Sequence, residues 1–285
     1  KWKANNTMSD SGFAELGQTW SAAKVTKVKS CSGTPAVCED VDVVIFGAGY
    51  DPSAEDQSPQ GAATMGRGVY VVRASDGQVL WMAGSAEPAG FPNTAHFELV
   101  AGMTYPIAAD LAVIDRDGDG YVDRIYAPDT GGNVWRININ PVLAPSAWTG
   151  NVYKLASLRT ASATGSNNNY RKFLNQPDVV LGTNFDAVLI GSGNRESPFD
   201  MSTEDRFYML KDSPDLAAAP TTITESTVGN QICDVTNNVL PIDVSCVADA
   251  DGNYSADCQV RNSVNSCLAD GNNRGWFIKL CSGEK

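Results

Sequence analysis

The sequence predicts an all-β fold of the β-propeller type, and three observations carry that expectation. Short runs rich in Val, Ile, Tyr, Phe and Trp follow one another along the 285 residues. Tight turns of Asp, Thr, Ser and Gly join several of these runs. A unit of strand, turn and aromatic strand then recurs, as a chain built of sheet-sized repeats requires. No stretch carries the spacing of a convincing amphipathic helix.

In chain order the strand runs are VDVVIFGAG (41–49), GVYVVRA (68–74), QVLWMAG (78–84), DRIYAPD (123–129) and NVWRINI (133–139). DAVLIGSG (186–193), DRFYMLKD (205–212) and RGWFIKL (274–280) follow. Val44–Gly49, a polar loop and Val69–Val72 are echoed by Val188–Gly193, a polar loop and Phe207–Leu210. Arg124–Ala127 followed by Gly132–Arg136 has the same form. Blades of about 40 to 50 residues would number four to six over this length. A propeller closes its ring, so blades are either degenerate here or completed outside the segment. Residues 51–67 (DPSAEDQSPQGAATMGR) read as a solvated insert, and about 213–273 as a cysteine-rich excursion with little strand signal. The domain expected is thus one propeller over 1–285 carrying that insertion.

Composition narrows the function. Lys and Arg total 21 against 33 acidic residues, a net charge of −12. Such a surface repels nucleic acid and anionic lipid. No apolar run reaches the roughly 18 to 20 residues that span a bilayer. The start, KWKANNTMSD, has neither Met nor an apolar leader, and the end, CSGEK, follows an apolar run. Both suggest a piece of a longer protein.

Seven cysteines without a CxxC pair, beside the one histidine, His96, argue against zinc and for disulfides in an oxidising compartment. Cys31 and Cys38 bracket the turn-rich SGTPAV and are expected to bond. Among the last five, Cys233–Cys246 and Cys258–Cys267 are expected, leaving Cys281 to a partner beyond the segment.

The stretch DRDGDGYVD (115–123) gathers four carboxylates, which repel unless a cation neutralises them. Calcium takes six to eight oxygens. Asp115, Asp117 and Asp119 at loop positions 1, 3 and 5, the Tyr121 carbonyl at 7 and Asp123 at 9 supply such a set. Gly118 and Gly120 let the backbone wrap an ion. An EF-hand would need a Glu at position 12 and flanking helices, whereas Tyr126 stands there between strand runs. The expectation is a Ca²⁺ loop set between strands. Asp249, Asp251, Asn253 and Asp257 repeat the spacing weakly, and a plain polar loop is the better reading there.

Gly47-Ala48-Gly49 and Gly191-Ser192-Gly193 lack the third glycine of a dinucleotide loop and read as strand-end turns. His96 has no nucleophile elbow to serve, so no catalytic residue is assigned. Trp81, Trp135 and Trp276 fall in strand runs and read as packing residues.

The run DRDGDGYVDRIYAPDTGGNVWRI (115–137) resembles the hallmark of the PilY/PilC family of type IV pilus tip-associated proteins, a D-x-D-x-D-G-x-x-D loop followed by R-x-Y-x-x-D-x-x-G-x-[LV]-W-R. VDVVIFGAGYD, RGVYVVRASDGQVLW, QPDVVLGTNFDAVLIGSGN and RGWFIKLCSGEK support the resemblance. It implies a modified quinoprotein-like β-propeller from the C-terminal part of a large, non-enzymatic surface protein. It implies a tip adhesin that works with minor pilins in the pilus tip complex, attaches to host or abiotic surfaces, and adjusts extension, retraction and twitching through calcium. Asp115, Asp117, Asp119, Tyr121 and Asp123 match the family's calcium ligands. An Arg-Gly-Asp motif of some members is replaced by Arg116-Asp117-Gly118. An integrin-like or lectin-like extracellular propeller with a purely structural calcium is the alternative, and a quinone-dependent dehydrogenase propeller a weaker one.

Overall fold

Val, Ile and aromatic side chains at every second position have an apolar face to bury, and here they do so in three packed sheets. The structure, a computed structural model, describes residues 2–4, 12–32, 37–57, 60–140, 147, 148, 150–159, 171–199, 203–225, 232–235 and 266–280. The first sheet holds β1 (Lys24–Ser32), β2 (Val37–Gly47), β3 (Gly68–Arg73), β4 (Val79–Gly84) and β5 (Phe97–Leu99) in that order. The second holds β6 (Ala112–Ile114), β7 (Arg124–Pro128), β8 (Asn133–Asn138) and β9 (Val152–Ser157), with β13 (Ile223–Thr224) added beside β9. In the third, β10 (Asp178–Val180), β11 (Asp186–Gly191), β12 (Arg206–Asp212) and β15 (Gly275–Lys279) are followed by β14 (Cys233–Asp234). Each sheet is four antiparallel strands with one short parallel strand at an edge.

All eight strand runs read from the sequence are strands. The described residues form three sheets where four to six blades are expected, and these three do not close a ring. The second sheet lies between the other two. Along β7 and β8 the side chains alternate with the period of a strand. Ile125, Ala127, Trp135 and Ile137 pack with Val43, Ile45, Val71 and Trp81 of the first sheet. Tyr126 and Val134 pack with Val188, Tyr208 and Leu210 of the third. Every residue of β7 and β8 is therefore buried.

Two loops are more tightly built into the sheets than their sequences suggest. The described residues of 51–67 are a solvated insert only in part: Ser53, Asp56, Gln57, Ala62 and Thr64 are exposed, but Asp51 and Glu55 are buried around the short helix α1 (Pro52–Glu55). Asp51 caps that helix through Ser53 N and also accepts from Thr64 N and Met65 N. Glu55 pairs with Lys172 at 3.1 Å. Burial of these acids is possible because each is fully partnered. The cysteine-rich excursion, read as carrying little strand signal, does contribute the two-residue β13 to the second sheet and β14 to the third.

Cys31 and Cys38 face each other across β1 and β2 and are bonded, as expected. The second disulfide is Cys233–Cys267, which overturns both Cys233–Cys246 and Cys258–Cys267. β14 pairs with β15, which brings Cys233 opposite Trp276 and within reach of the helical turn 266–269 just before that strand. Sequence proximity is outweighed by sheet pairing. Cys246, Cys258, Cys281 and the 249–257 loop lie outside the described residues.

Candidate metal centre

The loop 115–123 joins β6 to β7, two antiparallel strands in register from Ala112–Tyr126 to Ile114–Arg124. The backbone turns back through Gly118 (φ 79) and Gly120 (φ 91), conformations that a side chain resists. The aspartates organise the turn by accepting from its amides. Asp115 accepts from Gly118 N (2.7 Å), Asp119 N (3.1 Å) and Gly120 N (2.8 Å). Asp117 accepts from Asp119 N at 3.1 Å, and Asp119 from Tyr121 N at 2.9 Å. Asp123, buried, accepts from Arg116 N at 2.7 Å.

The fold brings Asp115, Asp117 and Asp123 together, with one carboxylate oxygen from each lying within 4.8 Å of the others. Two oxygens bound to one calcium at about 2.3 to 2.6 Å lie at most about 5.2 Å apart, so these three fit a single ion. Asp119 does not join this group. The Tyr121 hydroxyl points outward and donates to Asp40 at 2.7 Å, with Lys29 Nζ 4.5 Å from the ring centre. Burial pushes the Asp123 carboxyl above the usual carboxylate range, and the negative charges of Asp117 and Asp119 add to this. The amides of Arg116 and Asp117 pull the other way. A buried acid flanked by acids is a place where a hard cation relieves repulsion.

The loop is tied to the sheets on either side. Tyr121 reaches β2 through Asp40, and Val122 N donates to Lys27 O of β1. On the other side Arg116 forks onto Asp186 of β11 (3.0 and 3.1 Å) and donates to the Gly182 carbonyl. Asp186 also binds the buried Arg124 at 3.1 Å. Arg124 then shares Asp212 of β12 with Arg136 and Tyr126. The motif residues Arg124, Tyr126 and Arg136 are thus an ionic clamp between the second and third sheets. Sequence reading missed this clamp, although R-x-Y and W-R at strand spacing are its signal.

Asp129 serves the turn between β7 and β8. It accepts from Gly131 N, Asn133 N, the Asn133 amide and Trp135 Nε1. Burial pushes its carboxyl up to about 6 against these donors. Gly47 and Gly191 do end β2 and β11. Trp81 and Trp135 are buried, and Trp276 packs against Phe207 at 6.2 Å. His96 closes a single 3-10 turn (Thr94–His96), half-buried, which lowers its pKa.

Among the described residues, fold and loop define an all-β domain of three sheets with an acidic loop, three of whose carboxylates converge, between neighbouring strands. No protein-family profile matches the chain. Over 97 residues it is 34% identical to a type IV pilus biogenesis factor PilY1 homolog of Xylella fastidiosa, covering 34% of this chain and 6% of that protein. Its fold matches the crystal structure of the Pseudomonas aeruginosa PilY1 C-terminal domain with a TM-score of 0.54 at 15% identity, over 100% of this chain and 54% of that one. Over about a third of its length the chain is thus similar in sequence to a PilY1 homolog, and its fold is that of the PilY1 C-terminal domain. The chain spans only a small part of the pilus relative and about half of the solved domain.

Proposed function

We propose that the chain is a calcium-binding, propeller-type module of a type IV pilus-associated surface protein, without catalytic activity of its own. Convergence of Asp115, Asp117 and Asp123 carries the calcium reading. Kinship with a pilus biogenesis factor supports the pilus setting. In that setting the module acts outside the cell at the pilus tip, beside minor pilins, in attachment to surfaces. No helix among the described residues is long and apolar enough to cross a membrane. The three stacked sheets are three blades of a ring completed by other residues.

Calcium titration by calorimetry tests the site. Asp123→Ala removes a buried oxygen from the converging set and weakens binding on the order of 100-fold or more, beyond what loss of a supporting group costs. Asp119→Ala, outside the set, weakens it less. Equal losses from both would refute the geometry. Asp123→Lys then asks what the ion does, because its ammonium supplies a fixed cation near the metal position. Opposite shifts of the Ala and Lys variants in surface piliation and twitching mark a switch. Equal phenotypes leave a structural ion, a reading favoured by the loop's ties to both neighbouring sheets.

A further inference from the structure

Trp20 stands beside a cleft that none of the loop aspartates lines. Its position is built by the backbone. Gln18 and Tyr50 form an isolated antiparallel bridge, with amide-to-carbonyl distances of 2.8 Å in both directions. Glycines permit that approach, since a Cβ on Gly17 would lie 2.4 Å from the Tyr50 carbonyl oxygen. Two residues beyond the bridge, the Trp20 indole lies on the Tyr50 ring at 4.0 Å and 13°. Tyr50 is itself buried, packed with Ala108 and Leu174, and held by its hydroxyl donating to Asp56 at 2.6 Å. One indole face is thus covered, yet Trp20 remains 48% exposed. It is a backed aromatic platform whose open side faces solvent.

The cleft beside it measures about 430 Å³ and has Ala108 and Leu174 among its lining. That is within the range of small-molecule sites. Its polar lining is Asp110, Asn175, Gln176, Arg195 and Glu196, which between them offer both donors and acceptors. The acids are already answered from the protein. Asp110 accepts from Ala22 N and lies 3.9 Å from Lys24 Nζ, while Glu196 pairs with Lys172. Arg195 donates to Asn175 at 3.3 Å. No surplus negative charge is left to draw a cation onto the indole, and the one exposed guanidinium lining a cleft that also holds two acids is a poor anion site. What the surface suits is a neutral ligand with one flat apolar face and a rim of hydroxyls.

We propose that this cleft binds a neutral saccharide, with the C–H face of one pyranose ring on Trp20 and its hydroxyls on the amides, carboxylates and guanidinium of the wall. An indole face carries negative charge density that attracts the polarised C–H bonds of a sugar, and a planar ring matches it in shape. The inference goes beyond the calcium reading and stands or falls separately from it.

The test titrates the whole chain with cellotetraose, chitotetraose and mannotetraose, by calorimetry and tryptophan fluorescence, with and without calcium. Binding of at least one of them at about millimolar Kd or tighter is expected. Trp20→Ala should weaken it ten-fold or more and Gln176→Ala several-fold, with calcium affinity unchanged and circular dichroism showing both variants folded. Trp20→Phe, which keeps a smaller platform, should lose less, and it provides the reading if the alanine variant does not fold. No binding of any of the three sugars, or binding indifferent to Trp20 and Gln176, overturns the proposal. Loss of calcium binding in Asp123→Ala with sugar binding intact separates the two sites.

Discussion

Asp212→Ala is the sharpest test of how the second and third sheets are held together. The carboxylate is 1% exposed and accepts from Arg136 Nη1 (2.8 Å), Tyr126 OH (2.8 Å) and Arg124 Nη1 (3.2 Å). In that layer the three guanidiniums of Arg116, Arg124 and Arg136 face the two carboxylates of Asp186 and Asp212. Removing Asp212 leaves the same three facing one. Arg136 would keep the Ala218 carbonyl and the Tyr153 ring but no counter-ion. Breaking a buried pair from one side costs about 3 to 5 kcal/mol, because the remaining charge is desolvated without compensation. The Tyr126 hydroxyl loses its acceptor as well, worth about 1 kcal/mol. The expected loss of about 4 to 6 kcal/mol is comparable with the whole stability of many domains. Urea unfolding followed by tryptophan fluorescence measures it. Asp76→Ala, which breaks the exposed, solvent-screened pair with Arg73, is the control and should leave the unfolding midpoint nearly unchanged. A loss below about 1 kcal/mol for Asp212→Ala would show that the arginines find other partners and that the clamp does not hold the sheets. Replacing the pair together, as Asp212→Leu with Arg136→Met, should recover much of the loss, since an apolar pair of similar volume needs no counter-ion.

Two further outcomes follow from the same structure. The Cys233–Cys267 bridge spans 34 residues of sequence, and a loop of that length confers about 4 kcal/mol by restricting the unfolded chain. Peptide mapping without reductant should recover Cys233 linked to Cys267, and finding Cys233 linked to Cys246 would refute the sheet pairing of β14. Asp129, pushed up to about 6 from 3.8, binds its proton more tightly in the folded state than in the unfolded one. Its contribution to stability is therefore complete below about pH 4 and is lost as pH rises through about 6, a change of about 3 kcal/mol. Urea unfolding of the protein and of Asp129→Asn at pH 4, 5, 6 and 7 isolates it: the advantage of the native residue should shrink with rising pH. An advantage that grows with pH would show that the N–H donors outweigh burial.

The central strands are legible because their side chains are locally decisive. β7 and β8 place apolar or aromatic residues on both faces, and such runs have no stable exposed form. The edges are not. β1 carries Val25 on its exposed side, and β13 and β14 are two residues each, so their strand character comes from a neighbour's free edge rather than from their own sequence. The partial misreading of residues 51–67 has the same origin. Asp51 and Glu55 look like surface acids until Thr64, from the far end of the same segment, and Thr130 and Lys172, from elsewhere in the chain, are brought to them.

By itself the sequence determined the strand class, the repeating unit, the Cys31–Cys38 bridge and the acidic loop with its two glycines. Each of these is encoded within a few residues, where period, turn chemistry and charge repulsion act at short range. Only the tertiary structure decided which aspartates converge, setting Asp119 apart from Asp115, Asp117 and Asp123. It also decided that Cys233 meets Cys267, that the motif arginines clamp two sheets, and that Trp20 lies on Tyr50 beside a cleft. Those pairings join residues far apart in the chain, and their geometry is set by sheet register and packing, which no local stretch of sequence contains.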